Sequence, residues 1–140
     1  MNDIPSGLAI GAVMTRNPIS IETSASLDSA FEAMSKYSCH HLAVTEDDVL
    51  VGVLSHRDIS LAESVTGKPQ SELKVDDAYV AFPYRAERHD SLDKVLDDML
   101  TLQIGSVLIV ENEKLIGILT TYDVCRILRD FLQDNPVVGS

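Results

Sequence analysis

The chain repeats its own pattern at a constant offset of 65 residues, and this duplication restricts its fold more than any other feature. When residues 13–62 are written over residues 78–127 without a gap, 11 of the 50 aligned positions are identical. Matches on proline, glycine and aspartate inside one shared apolar pattern indicate a true internal repeat. These matches are Pro18 with Pro83, Gly52 with Gly117, and Asp58 with Asp123. We therefore expect two copies of one supersecondary unit.

Each copy predicts the element order β-α-β-β-α. A short extended segment precedes Ser26 in the first copy and Ser91 in the second, and each serine is expected to cap the helix that follows. Apolar residues then recur at positions i, i+3, i+4 and i+7, which is one face of an α-helix. Two apolar runs separated by an acidic turn predict a β-hairpin, and a closing helix starts near Ser55 or Thr120.

These boundaries divide the chain into two repeats, a linker and two short termini. We assign residues 8–66 to repeat 1, 67–74 to the linker, 75–132 to repeat 2, and 1–7 and 133–140 to the termini. A single repeat is too small to cover its own sheet. The predicted fold class is therefore mixed α+β, with two β-α-β-β-α repeats packed face to face about a pseudo-two-fold axis.

The acidic composition argues against one large class of partners. The chain has 22 Asp and Glu against 11 Lys and Arg, a formal net charge of −11. A nucleic-acid backbone requires clustered cations, so we expect no nucleic-acid partner, although a small anion could still bind in a local basic pocket. No apolar run approaches the ~20 residues that span a bilayer, and the N-terminal residues lack the basic region of a signal peptide. We expect a cytoplasmic protein with no membrane partner.

Residue types that bind metals or carry catalysis do not form recognisable patterns. Cys39 and Cys125 lie far apart and outside any CxxC motif, which favours two free thiols in a reducing compartment. The four histidines include no helical i, i+4 pair, and no metal site is expected. Asp58 and Asp123 lack an accompanying nucleophile or phosphate loop, so we expect no catalytic residues and no enzyme.

Each repeat carries a Ser/Thr-x-x-Asp motif directly after its second hairpin strand. The motif is Ser55-x-x-Asp58 in repeat 1 and Thr120-x-x-Asp123 in repeat 2. A carboxylate at a strand end can accept hydrogen bonds from both ribose hydroxyls, while the hydroxyl and the helix N-terminus offer donors to an anion. The same spacing also forms a capping box, which explains the motif without a ligand. The residues alone leave both interpretations open.

Three segments resemble the cystathionine-β-synthase (CBS) domain. They are VMTRNPISI, HHLAVTEDDVLVGVLSHRDI and IGSVLIVENEKLIGILTTYDV. Their specific features are Met14-Thr15 followed by Pro18, an apolar strand ending in Glu46 or Glu111, and the closing Gly-apolar-apolar-Ser/Thr-x-x-Asp string. The resemblance covers residues 8–132, and two such domains in tandem form the pair often called a Bateman module.

The resemblance implies a stand-alone regulatory module. Such pairs commonly bind AMP, ADP, ATP or S-adenosylmethionine in clefts between the repeats, and ligand occupancy changes the activity of an associated protein. For this chain it implies energy sensing through an adenosine nucleotide, an unidentified effector protein and a homodimer. The alternative is a non-sensing dimerisation or adaptor module with empty or degenerate clefts. Its helix faces would include Phe31 with Met34 and Met99 with Leu100, although a place in the core is the safer expectation for any one of these residues.

The resemblance also implies site residues, because in the family the aspartate anchors the ribose and the opening strand of the other repeat cradles the base. The first cleft would comprise Thr15, Pro18, Ile19, Ser20, Cys39, His40, Ile118, Thr120 and Asp123. The second would comprise Val53, Ser55, Arg57, Asp58, Val80, Pro83, Tyr84, Arg85, Ile104 and Gly105. Repeat 2 has lost the Met-Thr signature. If only one cleft works, the expectation from sequence is therefore the one with Asp123.

Cations that could face a phosphate are few. His40 lies where the family often places a phosphate-facing His or Arg, and the matching Gly105 offers only its backbone. Arg57 could contact a phosphate or pair with Asp58. Arg85, Arg88 and His89 form a local basic cluster that could serve a phosphate or balance nearby carboxylates.

Overall fold

The computed structural model describes residues 7–81 and 83–134, which form two compact units. The continuous unit is Pro18–Pro83. The discontinuous unit combines residues 7–17 with residues 84–134. Each unit contains one four-stranded sheet, two α-helices and its own cluster of buried apolar side chains.

The strands and helices follow the predicted β-α-β-β-α order in both repeats, with one additional two-residue strand ahead of each predicted opening strand. The strands are β1 (Thr15–Arg16), β2 (Ser20–Glu22), β3 (His41–Glu46), β4 (Val49–Ser55), β5 (Val80–Ala81), β6 (Arg85–Glu87), β7 (Ser106–Glu111) and β8 (Lys114–Thr120). The α-helices are α1 (Leu27–Lys36), α2 (His56–Thr66), α3 (Leu92–Leu102) and α4 (Thr121–Asp134). Short 3₁₀ turns cover Ile10–Ala12, Gln70–Glu72 and Val75–Asp77. The predicted mixed α+β class is confirmed.

The two sheets have matching topology. The continuous unit has the order β2-β3-β4-β5, and the discontinuous unit has the order β6-β7-β8-β1 when read in the same direction. The pairs β2–β3 and β6–β7 are parallel, because a helix connects the two strands of each pair. All other pairs are antiparallel.

Local sequence signals account for the helix boundaries. The Ser26 hydroxyl accepts the Ser29 N–H at 3.2 Å and caps α1, as predicted. Ser91 occupies the N-cap of α3, but its side chain makes no capping hydrogen bond. Helix α2 ends at Gly67, whose φ of +69° is the left-handed conformation that favours glycine.

The predicted hairpins are closed by two-residue turns that twist the backbone into the left-handed region. Asp47 and Asp48 have φ of +51° and +66°, and Asn112 and Glu113 have φ of +51° and +65°. Turns with positive φ at both positions match the right-handed twist of the flanking strands. Each turn therefore aligns a hairpin whose second strand leads into a Ser/Thr-x-x-Asp motif.

Each repeat pairs with the segment that opens the other repeat. The described residues before Pro18 belong to the discontinuous unit, and those of the segment that leads to Pro83 belong to the continuous unit. The Leu73 carbonyl accepts the Leu27 N–H at 2.9 Å at the start of α1, and the Leu8 carbonyl accepts the Leu92 N–H at 2.6 Å at the start of α3. Downstream of these contacts, β5 pairs with β4 of repeat 1 and β1 pairs with β8 of repeat 2. The compact units are therefore offset from the sequence repeats.

Apolar residues at the predicted helical spacing form the two cores. Met34 is buried in the core of the continuous unit and Met99 in that of the discontinuous unit, whereas their neighbours Phe31 and Leu100 are exposed. Each predicted helix face is thus split between core and surface. No α-helix within residues 7–81 and 83–134 is both long and apolar enough to cross a membrane.

Candidate functional site

Asp123 is a charged side chain held inside the discontinuous unit, with 6% of its surface exposed. Its Oδ2 accepts the Thr120 N–H at 2.8 Å and the Thr120 hydroxyl at 3.1 Å. In return, the Thr120 hydroxyl oxygen accepts the Asp123 N–H at 3.3 Å. The motif therefore closes the turn between β8 and α4 as the capping interpretation predicts.

Two further groups reach the other oxygen of Asp123. The Thr15 hydroxyl donates to Oδ1 at 3.1 Å, and Arg126 Nη2 lies 3.4 Å from the same atom. Thr15 is brought there by β1, where it faces Ile118 across the antiparallel pair with β8. The structure thus places Thr15, Ile118, Thr120 and Asp123, all from the first predicted cleft, within one unit.

Asp58 has a simpler environment in the continuous unit. Its Oδ2 accepts the Ser55 N–H at 2.8 Å, and the Ser55 hydroxyl accepts the Asp58 N–H at 3.0 Å, which completes a capping box at the start of α2. Across the β4–β5 pair, Val53 faces Val80. Ser55, Asp58, Val53 and Val80 of the second predicted cleft therefore lie together in this unit.

Four further predicted site residues also belong to the discontinuous unit. The Tyr84 hydroxyl donates to Asp98 on α3, and this hydrogen bond is the main cause of a rise in the pKa of Tyr84 to about 12. The same bond holds the pKa of Asp98 below its usual value. The Gly105 carbonyl accepts the Thr121 N–H at 3.0 Å and so joins the start of β7 to that of α4. Arg85 lies in β6, and Ile104 packs on the core.

The remaining predicted residues of the first cleft belong to the continuous unit. They are Pro18, Ile19, Ser20, Cys39 and His40. The Ile19 carbonyl accepts the Ala43 N–H at 3.0 Å and leads into β2. Burial raises the pKa of the Cys39 thiol, which disfavours the reactive thiolate. The other described cysteine, Cys125, is also a free thiol.

The His40 ring lies near the helix that carries Asp58. Its centroid is 5.9 Å from that of His56, the first residue of α2, and the His56 ring in turn is 5.1 Å from Phe31. The His40 carbonyl also accepts the His56 N–H at 2.9 Å. Within residues 7–81 and 83–134, no group of three or more His, Cys, Asp or Glu side chains is arranged to hold a metal ion.

The candidate phosphate-facing cations differ in their contacts. Arg88 Nη1 lies 3.3 Å from Glu111 Oε2, so this member of the basic cluster balances a carboxylate. Arg57 and His89 are exposed. Pro83 closes the continuous unit and is partly buried.

Arg126 was not predicted as part of the site. It follows Asp123 by three residues on α4, a spacing that places two helical side chains next to each other. An Asp-x-x-Arg search would have found the pair. The contact of Asp123 with Thr15, 108 residues earlier in the sequence, could come only from the fold.

Comparisons with known proteins show which family this chain resembles in sequence and fold. The family model named CBS domain matches residues 10–64 and 83–130. The uncharacterized protein YlbB of Bacillus subtilis is 34% identical over 103 residues, which are 70% of this chain and 69% of YlbB.

Solved structures of similar chains have the same fold. A conserved protein from Pyrococcus horikoshii is 27% identical, with a TM-score of 0.82 over 90% of this chain and 96% of that one. CBSX2, solved in complex with AMP, is 26% identical, with a TM-score of 0.76 over 89% of this chain and 99% of that one. Two domain matches that span both repeats, together with this shared fold, establish that the chain belongs to the CBS domain family.

Proposed function

We propose that this chain is a cytoplasmic regulatory module that binds an adenosine nucleotide and modulates a partner protein. The observation that carries the proposal is the carboxylate that both CBS domains present where the second hairpin strand meets its helix. A carboxylate accepts hydrogen bonds from vicinal hydroxyls, and the ribose of a nucleotide supplies two of them. The AMP in the similar CBSX2 structure supports this ligand class.

The proposed ligand contacts have distinct chemical roles. One of the two motif aspartates, Asp58 or Asp123, accepts the ribose hydroxyls, while valine and isoleucine side chains on the neighbouring strands offer apolar surface to the base. Strand backbone groups beside them can read the edge of the base. AMP, ADP, ATP and S-adenosylmethionine all contain the adenosine that these groups would recognise.

Thermal unfolding with added nucleotide tests the proposal. A ligand that binds only the folded chain, present at about 100 times its Kd, raises the free energy of unfolding by about 2.7 kcal/mol. We expect AMP, ADP, ATP or S-adenosylmethionine at millimolar concentration to raise the unfolding midpoint. GMP, which has the same ribose and phosphate, should raise it much less. No shift with any adenosine compound would favour the adaptor function instead.

The homodimer is also part of the proposal, and exposed apolar pairs on the helices support it. Leu128 and Leu132 lie four residues apart on α4 and are 49% and 46% exposed, and Leu61 and Val65 form a similar exposed pair on α2. Residues four apart lie on one helix face. The α4 pair is tested by sedimentation: the wild type is expected to form a dimer, and Leu128→Glu with Leu132→Glu a monomer. Dimers in both proteins would rule out this face.

A further inference from the structure

The two motif aspartates differ in how many of their acceptor positions are already used. An ionised carboxylate has about four such positions. Asp123 accepts from the Thr120 N–H and hydroxyl on one oxygen, and from Thr15 and Arg126 on the other. Asp58 accepts the Ser55 N–H on Oδ2, and no other described group donates to it. The Asp58 Oδ1 therefore remains available to a ligand.

This difference originates in the sequence. At the 65-residue offset, the position of Thr15 is taken by Val80 and that of Arg126 by Leu61. Neither aliphatic side chain can donate a hydrogen bond. The two donors that occupy the Asp123 Oδ1 have no counterpart around Asp58, whatever rotamers these side chains adopt.

The apolar surface beside the two motifs differs in the same direction. Val80, which faces Val53 across the β4–β5 pair, is 50% exposed. Val53 itself is partly buried. In the discontinuous unit the position of Val80 is taken by Thr15, which is exposed but polar, and that of Val53 by Ile118, which is only 6% exposed. An exposed aliphatic side chain on the strand next to Asp58 offers contact area to a flat base.

We infer that Asp58 is the ribose-binding aspartate of this chain. Asp123 instead has a structural role: its contacts with Thr15 and Arg126 hold β1 against the start of α4. The inference rests on the proposed function. At Asp58, a ribose diol adds hydrogen bonds to unused acceptor positions. At Asp123, the same diol has to displace Thr15 or Arg126, so it exchanges bonds without a net gain. The chain therefore binds one nucleotide, and its preference for a ribose diol depends on Asp58.

Comparing two ligands in each variant isolates the contact with the diol. Calorimetric titration of the full chain with AMP and with 2′,3′-dideoxy-AMP gives the ratio of the two Kd values. We expect the wild type to bind one AMP per chain and to prefer AMP by about ten-fold or more, because a hydrogen bond to a charged group contributes about 1.5–3 kcal/mol. Asp58→Asn should reduce this preference to within about two-fold, since the amide is a weaker acceptor than the carboxylate.

The matched variant Asp123→Asn should keep the preference for AMP and lower the midpoint of thermal unfolding. Because it alters a buried group, Arg126→Leu serves as a milder second variant: it removes one partner of Asp123, and the preference for AMP should again be kept. The inference would be overturned if Asp123→Asn or Arg126→Leu lost the preference for AMP over 2′,3′-dideoxy-AMP while Asp58→Asn kept it. Binding of two AMP molecules per wild-type chain would also overturn it. A wild type that binds no adenosine compound would instead refute the proposed function and, with it, this assignment.

Discussion

At the residue scale, the hydrogen bond between Tyr84 and Asp98 holds a predicted site residue against α3. The resemblance placed Tyr84 in the second cleft, but its hydroxyl donates to Asp98, and Lys94 Nζ lies 3.3 Å from the same carboxylate. The Tyr84 pKa is raised to about 12 and the Asp98 pKa is lowered, each mainly by this bond. The contribution of the bond to stability must therefore depend on pH.

The sign of this dependence follows from the two shifts. Asp98 titrates below its usual value, so its contribution is present above about pH 4 and is lost as the pH falls through the folded-state pKa. Tyr84 titrates above its usual value of about 10, so its contribution is present below that pH and is lost as the pH rises towards about 12. Urea unfolding should show wild type more stable than Tyr84→Phe at neutral pH, with the difference shrinking at both extremes.

Tyr122→Phe is the matched control for this prediction. Tyr122 is an exposed tyrosine on α4, and removing its hydroxyl should leave the urea midpoint unchanged at every pH. A Tyr84→Phe difference that stays constant across the pH range would show that the loss arises from packing rather than from the hydrogen bond.

The candidate site could be predicted at this scale only in part. A short local motif identified four residues: Ser55, Asp58, Thr120 and Asp123. Its hydrogen bonds form within the strand-to-helix turn itself, so they do not depend on the rest of the fold. Arg126 was missed although its spacing on α4 was visible. The Asp123 carboxylate also accepts a hydrogen bond from Thr15. Local sequence patterns could not predict this contact, because the two residues lie 108 positions apart.

At the element scale, the duplicated glycine makes room for the exchanged strands. A Cβ added to Gly52 would collide with the Tyr79 ring and the Val80 carbonyl oxygen. A Cβ added to Gly117 would meet mainly the flexible end of the Met14 side chain, with the Thr15 carbonyl oxygen at 3.1 Å. Backbone cannot yield as easily as a methionine side chain.

Alanine substitution should therefore affect the two glycines unequally. Overpacking costs about 1–3 kcal/mol, and we expect Gly52→Ala near the upper end of this range and Gly117→Ala near the lower end. Urea unfolding of both variants measures the difference directly. Equal losses would indicate that β5 moves away from β4 as easily as Met14 repacks.

The element order was predictable because it depends on local periodicity. Helices α1 and α3 and both hairpins lie where the apolar spacing placed them. The two-residue strands β1 and β5 carry too few residues for an alternation signal, and their pairing partners belong to the other repeat.

At the scale of the whole molecule, the exchange of opening segments predicts which fragment folds. The continuous unit includes Leu73 and Val75, both buried in its core, and strand β5. Fully burying one such side chain contributes about 1.5–3 kcal/mol. A fragment of residues 18–83 should therefore unfold cooperatively, whereas residues 1–66, which contain the whole of repeat 1, should not.

Circular dichroism during urea titration distinguishes the two fragments. The first should show a sigmoidal transition and the second a gradual one. If residues 1–66 unfold as cooperatively as residues 18–83, then Leu73, Val75 and β5 are dispensable, and the repeat rather than the compact unit is the folding unit.

The sequence by itself determined the duplication, the element order, the mixed α+β class and the two strand-end aspartates, because these depend on local spacing and on its recurrence at a constant offset of 65 residues. Only the tertiary structure decided which hairpin each opening strand joins and that Thr15 reaches the Asp123 carboxylate. Those outcomes depend on contacts between residues far apart in the chain, such as Thr15 with Asp123, and a hydrogen bond across 108 positions leaves no periodic trace in either segment.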